Sequence, residues 1–171
     1  YSNTLFYIDS PKIAANPVNG DLYLTWRQQV SGVSAYHPHQ IFAAQRTGAS
    51  WTEMGGSFTT PGISSALVSS VISYPYGPDI AVRGSNVMVS WRAGNTNGNS
   101  VFVRQWKPGQ RSWTTVYGAG DLPGVDTWSE KAFNPVLLMD GTSLPFVTFD
   151  ASLGSSTGQS IVATYTVVAD R

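Results

Sequence analysis

Two arginines follow tryptophans in near-identical runs: "LYLTWRQ" holds Trp26 and Arg27, and "VMVSWRA" holds Trp91 and Arg92. A guanidinium presents a planar fork of N–H donors that matches a carboxylate bidentately, so Arg27 and Arg92 could clamp an acidic ligand. The plainer alternative is that each arginine turns away from its tryptophan by strand alternation and pairs with a nearby carbonyl or carboxylate. His37 and His39 form "HPH". Two imidazoles bind a metal only with further ligands, and no carboxylate neighbours them, so no metal site is expected. Tyr36, Tyr74, Tyr76, Trp128 and Phe133 lie among Asn, Ser and Asp residues, Asn95 and Asn97 being further amides of the same kind. Aromatic faces with amide and hydroxyl partners can stack on a sugar ring and bond its hydroxyls; they can equally meet a protein or pack a loop. The candidate ligand-binding residues are therefore Arg27, Tyr36, His37, Tyr74, Tyr76, Arg92, Asn95, Asn97 and Trp128.

No catalytic residue is assigned. Glu53, Asp121, Asp126, Glu130, Asp140 and Asp150 are scattered, and the sequence pairs none of them at the separation glycoside hydrolysis needs. Asp121, Asp126 and Glu130 share one segment, but their spacing fits no calcium loop. No motif implies a cofactor.

The elements that must position these residues are repeated. One copy reads "PKIAA", "LYLTWRQ", "QIFAAQR", "WTEMGG"; a second reads "PDIAV", "VMVSWRA", "SVFVRQW", "WTTVYG"; a third reads "NPVLLM", "LPFVTFDA", "QSIVATYTVV" and lacks a fourth segment. Pro11, Pro78 and Pro135 open the copies. Each segment is short, rich in β-branched and aromatic residues, and bounded by Gly, Asn, Pro or Asp, which reads as strands and tight turns. Leu22, Leu24 and Trp26 share one side of their strand, as do Val87, Val89 and Trp91. Trp26, Trp91 and Phe149 fill one equivalent slot; Trp51 and Trp113 fill another. These five are the expected core of the repeat.

Four meandering strands per copy are a β-propeller blade. The expected fold is all-β: four-stranded antiparallel blades, about three of them in an incomplete ring, with a β-sandwich as the alternative. A single repeat domain spans 1–171, with blade 1 at 11–60, blade 2 at 78–118, a partial blade 3 at 134–168 and a clasp strand at 4–8 that pairs with a blade edge. Propellers close with about four to eight blades, so three belong either to a longer propeller or to a homo-oligomer. The loops after each second strand and between copies are the long ones: Gln29–His39, Gly94–Asn99, Ser152–Gly158, 57–77 and 119–134. Any site is expected on that long-loop face.

Composition narrows the function. Charged residues are 12% of the 171 and the formal net charge is zero, so no basic field exists to attract nucleic acid. The residues that replace charge are Ser, Thr, Gly and Asn, which suits a β-rich surface outside a cell. Cysteines are absent, which excludes disulfides and thiolate metal sites. No apolar run reaches membrane-spanning length.

The blade pattern of Pro-x-Ile-Ala, a Gly turn, an apolar-Trp second strand and Gly-x-x-Trp resembles bacterial extracellular propellers, of the sialidase-like and propeller-lectin types. The resemblance implies a secreted or cell-surface binding domain for a glycan or a protein. Its alternatives are part of a sialidase-like glycoside hydrolase, whose arginines would hold a carboxylate sugar, and a structural subunit of a surface assembly. Sialidases carry an Asp-box, Ser-x-Asp-x-Gly-x-Thr-Trp, before the fourth strand. Here that stretch is Ala44 to Trp51, with Arg46 at the Asp position.

Overall fold

The structure is a computed structural model that describes residues 7–30, 39–55, 62–64, 73–95, 98–117, 132–142, 145–152 and 160–166. The described strands form three antiparallel sheets. The first contains β1 (Ile8–Ala15), β2 (Leu22–Gln29), β3 (His39–Thr47) and β4 (Ser50–Glu53). The second contains β5 (Ser73–Arg83), β6 (Asn86–Asn95), β7 (Gly98–Lys107) and β8 (Ser112–Tyr117). The third contains β9 (Ala132–Met139), β10 (Pro145–Ser152) and β11 (Ser160–Thr166). In every sheet, strands adjacent in sequence are adjacent in space. The chain is all-β and each complete sheet is a four-stranded meander, the unit of a propeller.

Short turns make these meanders possible. At the β1–β2 connection Asn16 closes the turn twice, its carbonyl accepting from Gly20 N and its Oδ1 from Val18 N. Gly20 sits there at φ +78, a conformation that a β-carbon disfavours.

The sheets stack in chain order as three layers, which separates the fold from a two-layer sandwich. Between the first and second sheets lies one apolar core: Tyr23, Ile41, Ala43, Ile80, Val82, Val87, Val89, Trp91, Phe102 and Trp113, with Met54 and Ile63. Between the second and third lies another: Ala81, Met88, Val101, Val103, Leu137, Val147 and Phe149. Polar ties cross both seams. Asn16 Nδ2 donates to Gly84 O at 2.8 Å and Gly84 N returns to Asn16 Oδ1 at 3.0 Å. Trp113 Nε1 donates to Met54 O at 2.8 Å. Leu137 N donates to Asp79 Oδ2 at 2.8 Å. The second sheet is thus covered on both faces, and Val87 through Trp91 are buried without alternation.

Several expectations need correction. Trp51 is exposed and Trp26 only half-buried, whereas Trp91, Trp113 and Phe149 are buried. On β2 it is Tyr23, Thr25 and Arg27 that are buried, not the more apolar Leu22, Leu24 and Trp26. The physical reason is the stacking order. The Trp26 side of the first sheet faces away from the second, and among the described residues no sheet packs on it. Within the expected long loop Gly94–Asn99, Gly94 pairs with Asn99 and Asn95 with Gly98, so β6 and β7 extend into it. Tyr74 and Tyr76 belong to β5, and Phe133 to β9, rather than to loops. Of the segment 4–8, Tyr7 and Ile8 continue β1 along β2 of their own sheet, Gln29 N donating to Tyr7 O at 2.8 Å. Residues 4–6 lie outside the described residues.

Candidate functional site

The first strand of each sheet carries the same irregularity near its start. Between Asp9 and Lys12 on β1, between Tyr76 and Asp79 on β5, and between Phe133 and Val136 on β9, three steps along the strand oppose two on its neighbour. The extra residue precedes a proline each time and has positive φ: Ser10 at 53, Gly77 at 55 and Asn134 at 47. A β-bulge of this kind rotates the residues on one side of it relative to the other. Its consequence is direct. Asp9 pairs in register with Arg27, Tyr76 with Arg92, and Phe133 with Asp150.

Asp9 and Arg27 form an ion pair, Nη1 to Oδ2 at 2.9 Å, in which Arg27 is nearly buried and Asp9 is partly open. The Arg27 guanidinium also lies over the Tyr76 ring, 3.9 Å from its centroid, and the Arg92 guanidinium is 5.1 Å from the same centroid. Both distances fall within cation–π range. His39, at the start of β3 and opposite Gln29, sits close enough to feel both charges. Burial pushes its pKa down from the ordinary imidazole value, Arg27 pushes it further down, and Asp9 partly opposes them. The ring is therefore neutral near pH 7. Five side chains from five strands, Asp9, Arg27, His39, Tyr76 and Arg92, thus meet at the strand ends beside the β2–β3 connection.

The cluster has unused hydrogen-bonding capacity. Asp9 Oδ1, Arg27 Nε and His39 Nδ1 are buried without a hydrogen-bond partner. Buried polar atoms are nearly always paired, so three orphans in one cluster are unusual. They comprise a carboxylate acceptor, a guanidinium donor and an imidazole nitrogen that serves either way.

Of the sequence-derived candidates, Arg27, Tyr76 and Arg92 are brought together here. Tyr74 lies on β5 and Asn95 ends β6. Tyr36, His37, Asn97 and Trp128 lie outside the described residues. Asp9 and His39 are additions. Asp9 could have been found by its place before Ser-Pro, which Tyr76 has before Gly-Pro and Phe133 before Asn-Pro. Among the described residues, no three His, Asp or Glu side chains group as metal ligands. The run Gly154-Ser155-Ser156-Thr157-Gly158 has the spelling of a nucleophile elbow, Gly-x-Ser-x-Gly. It connects the antiparallel β10 and β11, where the elbow requires a strand-to-helix turn, and its residues lie outside the described ones.

No protein-family model matches the chain, and no curated protein matches it in sequence. Solved structures do match its shape. One is a family 117 glycoside hydrolase from the marine bacterium Zobellia galactanivorans, with TM-score 0.52, 15% identity, and 93% of this chain aligned to 51% of that one. A second is a GH43_12 protein retrieved from a capybara gut metagenome, with TM-score 0.54, 11% identity, and 92% of this chain aligned to 30% of that one. A third is the Hadza microbial sialidase Hz136, with TM-score 0.49, 10% identity, and 92% of this chain aligned to 34% of that one. The first two, propellers both, share this fold; at these identities the likeness concerns fold alone. The chain spans about half the length of the first and less of the others.

Proposed function

We propose that this chain is a glycan-binding propeller domain without a catalytic centre of its own, secreted or displayed at a cell surface. It takes a neutral, hydroxyl-rich sugar at the cluster of Asp9, Arg27, His39, Tyr76 and Arg92. The observation that carries this reading is the trio of unpartnered buried atoms, Asp9 Oδ1, Arg27 Nε and His39 Nδ1, beside an aromatic ring. A vicinal diol donates to a carboxylate, accepts from a guanidinium and does either with a neutral imidazole. The Arg27 charge is already matched by Asp9, so a carboxylate sugar would have to compete with that pair. The Asp9–Arg27 pair that holds two of the three unpartnered atoms carries no net charge, and its spare donor and acceptor suit a polyol.

The test is retention on a panel of neutral and acidic oligosaccharides, followed by titration calorimetry. Asp9→Ala and Tyr76→Ala are expected to weaken binding of a neutral sugar tenfold or more, with circular dichroism unchanged. Retention of no sugar, or of acidic sugars alone, would sink the proposal. A second reading takes its support from the likeness to glycoside hydrolase propellers over nearly all of this chain. In it the chain is a portion of such an enzyme and Asp9 is one of its carboxylates. Turnover of a chromogenic glycoside by the chain, lost in Asp9→Asn, would favour that reading.

A further inference from the structure

The ring of Tyr76 reaches the cluster from a different sheet than the ion pair it meets. Asp9 and Arg27 belong to β1 and β2 of the first sheet, and Tyr76 to β5 of the second. The bulge at Gly77, with φ +55 before Pro78, sets Tyr76 in register with Arg92. From there the ring meets Arg27 across the seam between the two sheets, with Arg27 Cζ 3.9 Å from the ring centroid. Arg92 Cζ is farther, at 5.1 Å.

These distances decide what the ring can do for a ligand. A sugar stacks on an aromatic ring at van der Waals distance, about 3.5–4.0 Å between carbons. On one face of Tyr76 that place is taken by the Arg27 guanidinium. Arg27, by contrast, has a donor to offer. Its side chain is 10% exposed, Nη1 is tied to Asp9 Oδ2 at 2.9 Å, and Nε is buried without a hydrogen-bond partner. An ion pair through one nitrogen fixes the end of a long side chain but leaves its plane free to turn. A contact on the face of the guanidinium fixes the plane, and with it the direction of the Nε–H. A planar fork already held in this way loses less freedom when it bonds a ligand.

We propose that Tyr76 is a positioning residue. Its ring holds the Arg27 guanidinium in the plane that aims Nε at the ligand, and it contributes to binding through Arg27 instead of stacking on the sugar. The ligand comes from the glycan-binding reading above, on which this role rests; the hold of Tyr76 on Arg27 needs no ligand. A donor carried by the first sheet thus depends on a ring carried by the second, and the site is complete only when the two sheets are packed together.

The cluster contains its own reporter of where Arg27 sits. Ile41 pairs with Arg27, and His39, two residues before it on β3, shares its side of the sheet. The groups gathered around His39 are Asp9 of β1, Arg27 of β2, Tyr76 of β5 and Arg92 of β6. Burial lowers the His39 pKa most, Arg27 lowers it further, and Asp9 raises it. Without the ring the guanidinium gains freedom toward solvent, its charge is felt less at His39, and the His39 pKa rises.

The experiment is a proton NMR titration of the whole chain without sugar. The chain has two histidines, so His37→Gln leaves His39 as the single imidazole. In that background Tyr76→Leu, which keeps the site apolar, is expected to raise the His39 pKa toward its ordinary value. Tyr76→Phe, which keeps the ring face, is expected to hold it down. Circular dichroism checks the fold of each, and Tyr76→Met, whose side chain packs adaptably, gives the same readout where leucine does not fold. Calorimetry with the neutral oligosaccharide that is retained best then separates the two roles. Tyr76→Leu and Arg27→Lys are each expected to weaken binding tenfold or more, and both together no more than Arg27→Lys alone. An unchanged His39 pKa in Tyr76→Leu, a rise in Tyr76→Phe as large as in Tyr76→Leu, or losses that multiply in the double variant would each overturn the proposal. If no sugar is retained, the glycan-binding reading falls, and the titration by itself decides whether Tyr76 positions Arg27.

Discussion

Replacing the same tryptophan in two sheets separates what a residue type contributes from what its neighbouring sheet contributes. Trp91 is 1% exposed and stacked on Phe102, between the first and second sheets. A buried Trp removes up to about 250 Å² from water. At about 25 cal/mol/Å² that is about 6 kcal/mol. A compact unfolded chain lowers this by roughly 10–40%, leaving about 4 kcal/mol for Trp91→Ala. That lies within the roughly 3–5 kcal/mol found for aromatic-to-alanine changes in cores. With a urea slope of about 2 kcal/mol per M, the unfolding midpoint should fall by about 2 M. Trp26→Ala removes the same ring from the same slot, where it is only half-buried, and should cost about half as much by the same area reckoning. Equal losses would refute the reasoning, because they would mean that stacking on the strand neighbour, and not burial between sheets, sets the worth of the slot.

Three further outcomes follow from other features. Gly55 has φ +68, and a β-carbon there would lie 2.5 Å from Trp106 Cζ3 and 3.0 Å from Trp113 Cδ1; Gly48 has φ +62 with nothing within 4 Å. Gly55→Ala should therefore cost more than about 2 kcal/mol in urea unfolding, and Gly48→Ala only about 1 kcal/mol of backbone strain. Ser10→Val places a β-branched side chain at φ 53 and should cost more than about 1 kcal/mol, while Ser10→Gly is near neutral; equal midpoints for the two would refute the bulge geometry. His39 has its pKa lowered by folding, so below its ordinary value the unfolded chain binds the proton more readily than the folded one. Stability should accordingly decline as pH falls from the ordinary imidazole value, about 6.5, toward the lower folded value, and the decline should vanish in His39→Gln.

The repeat, the strands and the turns were legible because each is a local pattern. Period-two alternation, Gly and Asn at turns, and a Trp recurring in register need no knowledge of distant residues. Burial was less legible. The run Leu22, Leu24, Trp26 has the same apolar alternation as Val87, Val89, Trp91, but alternation specifies which residues share a side, not whether a sheet lies against it. Loop lengths failed for a related reason. Gly94, Asn95, Gly98 and Asn99 read as turn formers, yet their backbones extend the β6–β7 ladder almost to its tip. Glycine and asparagine tolerate turns without enforcing them, and cross-strand hydrogen bonds decide where the hairpin ends.

The site depended on something no alternation rule supplies. If β1 were regular, Asp9 would share a side with Ile13, away from Arg27. The bulge at Ser10 and Pro11 reverses this and sets the carboxylate against the guanidinium. The same bulge recurs at Gly77 and Asn134, so it belongs to the repeat and not to one sheet. The pairs it creates nevertheless differ: Asp9 with Arg27, Tyr76 with Arg92, Phe133 with Asp150. Inside the stack the three copies carry nearly the same residues at matching slots, because each must fill the same space. At the bulge they carry an acid with a base, an aromatic with a base, and an aromatic with an acid. A position that keeps its backbone geometry but changes its chemistry from copy to copy is not being held by packing. The unpartnered atoms of Asp9, Arg27 and His39 lie at one such position, and the proposed sugar contact is placed there for that reason.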